Sequence, residues 1–97
     1  MAAVEYSARA LADIDRLFDF LAAENPNAAV ASATAIVDAV GILERHPYIG
    51  RPVRGRTREL VISYGRTGYV ALYRVAARGD RVEILAIRHQ REAGYQS

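Results

Sequence analysis

Arginine occupies all thirteen permanently basic positions of this 97-residue chain, which has no lysine. The placement is uneven, because residues 1–44 carry a net charge of −5 and residues 45–97 a net charge of +7. A guanidinium group is planar, permanently charged and matched to the two oxygens of a carboxylate or a phosphate. The C-terminal half is therefore predicted to present a basic surface to an acidic or phosphorylated partner.

Two arginine clusters lie in that basic half: Arg51, Arg54, Arg56 and Arg58, and the run Arg88-His89-Gln90-Arg91. Because side chains alternate between the two faces of a strand, Arg88 and His89 are expected on opposite faces unless a bulge intervenes. Five tyrosines lie in the same half: Tyr48 in the loop, and Tyr64, Tyr69, Tyr73 and Tyr95 after it. Arginine beside aromatic rings is typical of surfaces that bind nucleic acid or acidic proteins, although tyrosine is also an ordinary strand residue.

Other chemistries have no support in the residue pattern. The chain lacks P-loop, dinucleotide-binding, zinc-protease and nucleophile-elbow motifs. It has no cysteine, and its two histidines, His46 and His89, lack the spacing of metal ligands. The acidic residues Asp13, Asp15 and Asp19 are interpreted as a solvated helix face. We therefore expect neither a metal nor a cofactor.

Length and composition limit the number of domains and the class of protein. A chain with 52% hydrophobic and 25% charged residues is typical of one globular domain, here spanning residues 1–97. The N-terminus does not have the pattern of a signal peptide, and no apolar run approaches the roughly 18 residues of a membrane span. The sequence thus indicates a cytoplasmic protein without a membrane partner.

Two helices are predicted in the N-terminal half. Ser7 is a good N-cap for a helix over residues 8–23, and Asn25-Pro26 begins a second helix that runs to about residue 45. The apolar stripe of the first helix is Leu11, Ile14, Leu17, Phe18 and Leu21. The apolar stripe of the second is Ala29, Ala33, Ile36, Val40 and Leu43, with Val37 beside it. The short connection makes the two helices an antiparallel hairpin.

Three strands are predicted after a loop from Pro47 to Thr57. The segments 58–63, 69–75 and 82–89 are rich in valine, isoleucine, leucine and tyrosine, and turns at 64–68 and 78–80 join them into an antiparallel meander. A short strand at 4–6 precedes the helices. The predicted fold class is α+β, with an N-terminal strand and a helical hairpin packed on a mainly antiparallel four-stranded sheet (β-α-α-β-β-β).

Four segments resemble the RelE/ParE toxin superfamily, in the same order and along nearly the whole chain. They are Leu43–Pro52 (LERHPYIGRP), Arg58-Glu59-Leu60, Tyr69–Val75 (YVALYRV) and Ile84–Glu92 (ILAIRHQRE). The resemblance implies a RelE/ParE-like fold and a bacterial toxin of a type II toxin–antitoxin module of the plasmid-stabilisation type. It also implies a hetero-oligomer with a cognate ParD-like antitoxin, through which alone operator DNA would be bound.

The superfamily has two functional branches. RelE-like members cleave messenger RNA on the ribosome, and an arginine typically begins their strand that ends in Tyr-Arg-Val. The matching position here is Val70, whose apolar side chain cannot stabilise a phosphate. The resemblance therefore favours the ParE-like branch, which inhibits DNA gyrase by binding and without catalysis. A ribosome-dependent endonuclease is the alternative.

Site residues follow from these hypotheses. The expected target-binding residues are Arg51, Arg58, Arg88, His89, Arg91 and Tyr95. No catalytic residue is assigned to a gyrase inhibitor, whereas a ribonuclease would use Arg58, Arg74 and His89. An antitoxin tail that folds on binding would lie in an apolar groove along the hairpin, with Leu17, Phe20 and Leu21 as candidate contacts. Direct binding of nucleic acid is a third hypothesis, which a net charge of +2 supports weakly.

Overall fold

The computed structural model describes residues 1–64 and 67–95, and it confirms the predicted α+β fold. The helices are α1 (Ala8–Ala22) and α2 (Pro26–Gly41), followed by a 3-10 turn, Ile42–Glu44. The strands are β1 (Ala3–Tyr6), β2 (Arg51–Pro52), β3 (Thr57–Tyr64), β4 (Thr67–Val75) and β5 (Arg81–His89). They form one sheet in the order β1-β5-β4-β3-β2, in which only the β1–β5 pair is parallel.

The sheet has five strands, so the expectation of four was wrong. The extra strand, β2, lies in the segment that was predicted to be a loop, and it pairs Arg51 with Glu59 and Pro52 with Arg58. A glycine-containing turn joins it to β3, and Gly55 takes a positive φ of 57° there. A two-residue strand that contains proline is confined to a sheet edge, because proline has no N–H to donate.

The predicted helix starts are confirmed by their caps. The Ser7 side chain accepts a hydrogen bond from the Ala10 amide, and the Asn25 side chain accepts one from the Ala28 amide. The α-helix of the second segment ends at Gly41, a turn earlier than expected, because its last turn tightens into the 3-10 form. The helical hairpin therefore forms as predicted, with α1 and α2 joined by three residues.

The buried face of α1 differs from the predicted stripe. Leu11 is 51% exposed, whereas Asp13, which was placed on a solvated face, is only 4% exposed. Ala10, Asp13 and Leu17 form the buried line of the helix; Leu17 was predicted in the stripe, whereas Ala10 and Asp13 each lie one position before a predicted residue. On α2, Val37 is likewise exposed, and the buried positions are Ala29, Ser32, Ile36 and Val40.

Asp13 is buried because it provides a hydrogen-bond acceptor for a backbone amide at the unpaired edge of β5. Strand β1 pairs with β5 only as far as Ile84, so the later backbone groups of β5 have no strand beside them on that side. The Ser7 hydroxyl donates to the Leu85 carbonyl at 3.0 Å, and the Ile87 amide donates to Asp13 Oδ2 at 2.9 Å. Buried backbone groups require such partners, and the N-cap residue and one side chain of α1 supply them here.

The hydrophobic core lies between the helical hairpin and one face of the sheet. Its largest fully buried side chains include Tyr69, Tyr73, Ile36, Leu43 and Ile84. A register shift between β4 and β5 near Leu72 and Tyr73 leaves Leu85 as an extra residue in β5. No helix among residues 1–64 and 67–95 covers the opposite face of the sheet, which we call the open face.

The segment Pro26–Glu44 is long and apolar enough to cross a membrane by length and composition alone. The expectation that no run approaches that length was therefore wrong, because the many alanines make the segment apolar without giving it a large side chain at every position. Ile36, Val40 and Leu43 pack into the core of the domain and are at most 2% exposed. About 28% of the apolar window is buried, and the burial is confined to the side of the helix that faces the core.

The predicted turns and tail are described in part. The turn between β4 and β5 contains Gly79 with a φ of 72°, as the hairpin requires. Residues 65 and 66 of the predicted 64–68 turn lie outside the described residues, as do residues 96 and 97 of the polar tail.

Candidate functional site

A buried glutamate organises the basic residues on the open face. Glu59, on β3, is 8% exposed. Its Oε1 accepts hydrogen bonds from Arg51 Nε and Nη2 at 3.2 and 2.8 Å, because the two residues pair directly across β2 and β3. Its Oε2 accepts a 2.6 Å hydrogen bond from the Tyr95 hydroxyl. Both oxygens of the carboxylate are thus occupied.

Tyr95 lies between Glu59 and Arg88. The Arg88 guanidinium carbon lies 5.3 Å from the centroid of the Tyr95 ring, within the range of a cation–π contact. Arg88 Nη1 also approaches the carbonyl of Glu92 at 3.4 Å. The tail after β5 is therefore held on the open face by its own strand. We call Arg51, Glu59, Arg88 and Tyr95 the Glu59 cluster.

The cluster shifts the pKa values of its two acidic groups in opposite directions. The hydrogen bond from Tyr95, with smaller contributions from Arg51 and Arg88, holds the pKa of Glu59 below its ordinary value despite partial burial. Burial, followed by the bond to Glu59, raises the pKa of Tyr95 far above its ordinary value of 10. At neutral pH the pair is therefore a phenol that donates to a carboxylate.

The centre of the open face beside this cluster is apolar. Val70 pairs with Val61 on β3 and with Arg88 on β5. Val70 is 5% exposed, and Leu72 and Ala86 follow it on the same face by strand alternation. The apolar side chain of Val70 cannot stabilise an anionic transition state.

The three residues proposed for a ribonuclease are not brought together. Arg58 pairs with Tyr73 and His89 pairs with Tyr69, so they lie four residues apart along β4, about 13 Å at the rise of a strand. Arg74 follows Tyr73 on β4 and therefore lies on the opposite face from Arg58. Its guanidinium forms a 2.6 Å ion pair with Glu83.

A second candidate surface is an apolar groove on the helix side of the sheet. It lies between α1, α2 and the end of β5. Its volume is about 590 Å³, and its lining includes the three predicted antitoxin contacts, Leu17, Phe20 and Leu21. Leu17 is 8% exposed and forms part of the floor, whereas Phe20 is 80% exposed. An exposed aromatic ring beside an apolar groove is a feature of protein-binding surfaces. We call this feature the hairpin groove.

Polar residues close one end of the hairpin groove. The His89 ring packs edge-on against Tyr69, with centroids 5.4 Å apart, and its Nδ1 accepts a hydrogen bond from the Arg91 amide. Glu92 forms two hydrogen bonds to Arg16 at 3.0 and 3.3 Å and accepts one from the His89 amide. His89 therefore lies on the helix side of the sheet and Arg88 on the open face, because the β5 bulge comes before both residues.

The structure thus divides the six expected target-binding residues among three places. Arg51, Arg88 and Tyr95 meet in the Glu59 cluster. His89 and Arg91 line the hairpin groove, and Arg58 lies at the far end of the sheet. Sequence reasoning missed Glu59. An available signal was the arginine eight residues earlier, because a hairpin between the two positions would place Arg51 opposite Glu59 as a cross-strand ion pair.

Within residues 1–64 and 67–95, no group of three or more histidine, aspartate or glutamate side chains has the geometry to hold a metal ion. The described surface offers charge, hydrogen bonding and apolar contact for recognition. Both candidate surfaces have the residues for that role.

The family assignment comes from comparison with known proteins. The family model described as "ParE toxin of type II toxin-antitoxin system, parDE" matches residues 4–94. Toxin RelE3 of Caulobacter vibrioides is 37% identical over 92 residues, covering 95% of this chain and 98% of the relative. Toxin RelE1 of the same organism is 35% identical over 83 residues, covering 86% of this chain and 87% of the relative.

Solved structures show the same fold. The chromosomal ParDE toxin–antitoxin system from P. aeruginosa contains a chain with a TM-score of 0.75 and 26% identity, and the match covers 92% of this chain and 96% of that chain. The toxin–antitoxin complex RelBE2 from Mycobacterium tuberculosis contains one with a TM-score of 0.61 and 27% identity, covering 92% and 98%. The resemblance seen in the sequence is confirmed, and the chain belongs to the ParE toxin family of type II toxin–antitoxin systems.

Proposed function

We propose that this toxin inhibits DNA gyrase by binding it through the Glu59 cluster, without breaking a covalent bond itself. The observation that carries this proposal is the composition of the open face, where Arg51, Arg88 and Tyr95 surround Glu59 and the neighbouring centre holds Val61 and Val70. A surface of this kind has an apolar centre with arginine and tyrosine beside it. That composition is typical of the energetic centre of a protein–protein interface.

The arrangement of charges supports binding rather than phosphodiester cleavage. A ribonuclease must stabilise the growing negative charge on a phosphate. On this face, the carboxylate of Glu59 would oppose that charge, and it already occupies Arg51. The three candidate catalytic residues are also distributed over both faces of the sheet. Neither feature impedes recognition of a protein.

Inhibition of gyrase supercoiling by the purified toxin tests the proposal. We expect the wild type to block supercoiling of a relaxed plasmid and the variant Arg88→Gln to need about tenfold more protein, because an arginine at an interface centre contributes on the order of 1–2 kcal/mol. Arg45→Gln is the matched control, since Arg45 is exposed and lies outside the cluster. Normal supercoiling at a large molar excess of folded wild type would overturn the proposal.

The antitoxin is proposed to occupy the hairpin groove. The solved relatives are toxin–antitoxin assemblies, which supports an antitoxin as a partner of this chain. The groove offers Leu17 as floor and Phe20 as an exposed anchor, and Arg16 and Arg91 line it as well. An amphipathic antitoxin segment with acidic residues fits this combination. Operator DNA would then be bound through the antitoxin, and the pair would act in the cytoplasm as a plasmid-stabilisation type module.

A ribosome-dependent endonuclease is the second candidate function. The names of the two Caulobacter vibrioides relatives, RelE3 and RelE1, and the RelBE2 structure favour it. Under this hypothesis, purified toxin would cut a message in the A-site codon of stalled ribosomes while leaving gyrase unaffected. Arg58→Ala and His89→Ala would abolish the cleavage. Full toxicity of both variants would contradict the endonuclease hypothesis.

A further inference from the structure

A cleft at the far end of the sheet from the hairpin groove lies outside both the Glu59 cluster and the hairpin groove. It has a volume of about 300 Å³ and lies between the β2–β3 turn and the residues that follow β4. Arg56 and Arg58 supply its charge, and Tyr48, Val75 and Ala76 supply much of its wall. None of the residues that line it is acidic. We call it the Arg58 cleft.

The structure fixes the position of the Arg58 guanidinium. Its Nη1 donates to the carbonyl of Tyr48 at 3.0 Å and to the carbonyl of Gly50 at 2.8 Å. Its Cζ lies 5.2 Å from the centroid of the Tyr48 ring. In the described part of the chain, its Nε and Nη2 have no hydrogen-bond partner. These two atoms form the edge of the guanidinium that binds two oxygens at once.

Four other arginines, three on the sheet and one on α1, already have carboxylate partners. The ion pairs are Arg16–Glu92, Arg51–Glu59, Arg74–Glu83 and Arg81–Glu5. Among residues 1–64 and 67–95, Arg58 has no carboxylate within ion-pair distance. A rigid guanidinium whose bidentate edge is unoccupied binds an oxyanion with little further loss of side-chain entropy. The cleft is thus preorganised for one anionic group.

We propose that the Arg58 cleft receives an acidic side chain from a segment of a protein partner. Tyr48, Pro52 and Val75 give the cleft an apolar wall that suits the aliphatic stem of a glutamate. A nucleic acid backbone needs a track of several free cations, because its affinity grows with the number of phosphates contacted. The neighbouring Arg74 and Arg81 are neutralised by Glu83 and Glu5, which removes two cations from any such track. The proposal does not depend on whether gyrase or the ribosome is the target.

Titration of the full, isotope-labelled chain with glutarate, followed by NMR, tests the site directly. We expect saturable shifts of the Arg58 Nε–H signal and of the Ala76 and Ala77 amides. Arg58→Lys should weaken binding about tenfold, because a lysine cannot hold two oxygens in the same plane. Arg56→Gln should weaken it several-fold by removing the second charge. Arg54→Gln is the matched control, since Arg54 lies in the same turn but outside the cleft.

A fluorescent oligoglutamate peptide and a single-stranded oligonucleotide then distinguish the two kinds of polyanion. We expect glutarate to compete with the peptide, and we expect the peptide to bind with the same variant profile as glutarate. Tighter binding of the oligonucleotide with that profile would overturn the proposal in favour of nucleic acid. If Arg54→Gln and Arg56→Gln weakened glutarate binding equally, or if the NMR shifts mapped to residues outside the cleft, the proposal would be overturned in favour of a general charge effect. If Arg58→Lys fails to fold, Arg56→Gln decides the question alone.

Discussion

The Tyr95 hydroxyl donates a 2.6 Å hydrogen bond to Oε2 of Glu59, a residue 36 positions earlier in the chain. This bond joins the tail after β5 to β3, although β4 lies between the two strands in the sheet. It also places an aromatic ring under Arg88 at the centre of the proposed gyrase-binding surface. One hydrogen bond thus fixes the tail and the arrangement of the cationic residues around it.

The pH dependence of stability should report this bond. The pKa of Glu59 is lowered in the folded state, so its contribution is complete above the ordinary value of 4.5 and is lost as the pH falls through the lowered pKa. Tyr95→Phe removes the largest cause of that shift. We expect the variant to lose about 2 kcal/mol of unfolding free energy at pH 7 and less in acid, measured by urea denaturation. An equal loss at pH 7 and pH 3 would contradict this assignment.

Alkaline titration examines the other partner of the bond. The pKa of Tyr95 is raised in the folded state, so the stability it contributes is complete below pH 10 and is lost as the pH rises through the raised pKa. Ultraviolet difference titration of the wild type against Tyr95→Phe should show that this phenol stays protonated at pH 10–11 while the chain is folded. If the difference between wild type and variant showed that Tyr95 ionises at its ordinary pKa of 10, the prediction would be refuted.

Asp13→Ala should destabilise the domain although the residue is charged and was expected on the surface. Its removal leaves the buried Ile87 amide without an acceptor, which costs about 2 kcal/mol. Asp19→Ala is the control, because Asp19 lies on the same helix and is exposed. Thermal and urea denaturation measure both variants. Equal stability of the two would show that the Asp13 bond contributes little.

Gly50→Ala should also destabilise the domain, for a steric reason. A Cβ at this position would lie 2.6 Å from the Tyr73 hydroxyl and 2.7 Å from the Glu59 carbonyl oxygen. Tyr73 is fully buried and its hydroxyl accepts the Gly50 amide, so the ring cannot move aside easily. We expect a loss of about 2 kcal/mol by urea denaturation. Gly41→Ala, where a Cβ meets no atom within 4 Å, should be neutral or slightly stabilising.

Phe20→Ser tests the hairpin groove as the antitoxin site. Because Phe20 is 80% exposed, its replacement should leave the unfolding free energy within about 0.5 kcal/mol. Affinity for the antitoxin, measured by calorimetry, should fall about tenfold or more, as for other aromatic anchors. Leu11→Ser, on the same helix and outside the groove, should leave the affinity unchanged. Unaltered binding of Phe20→Ser would place the antitoxin elsewhere.

Local patterns were sufficient to predict both α-helices and every strand except β2, in the right order, with most of their boundaries. Ser7 and Asn25-Pro26 marked the helix starts because capping depends on residues that are adjacent in the chain. The period of two in residues 58–63, 69–75 and 82–89 predicted β3, β4 and β5 to within two residues at each end. The same segments carried the family resemblance, since a motif is a property of the linear chain.

Only the tertiary structure decided which polar residues are buried and which of the arginines are free to bind. Asp13 is buried because β1 ends before β5 does and leaves the Ile87 amide without a strand partner. The sequence of α1 contains no information on the length of β1, so the burial of Asp13 could not be predicted from it. Glu59 neutralises Arg51, whereas Arg58, one residue away, faces two carbonyls instead. Electrostatic interactions depend on distance in space and on burial. Which arginines are neutralised by a carboxylate and which are not could therefore be determined only from the tertiary structure.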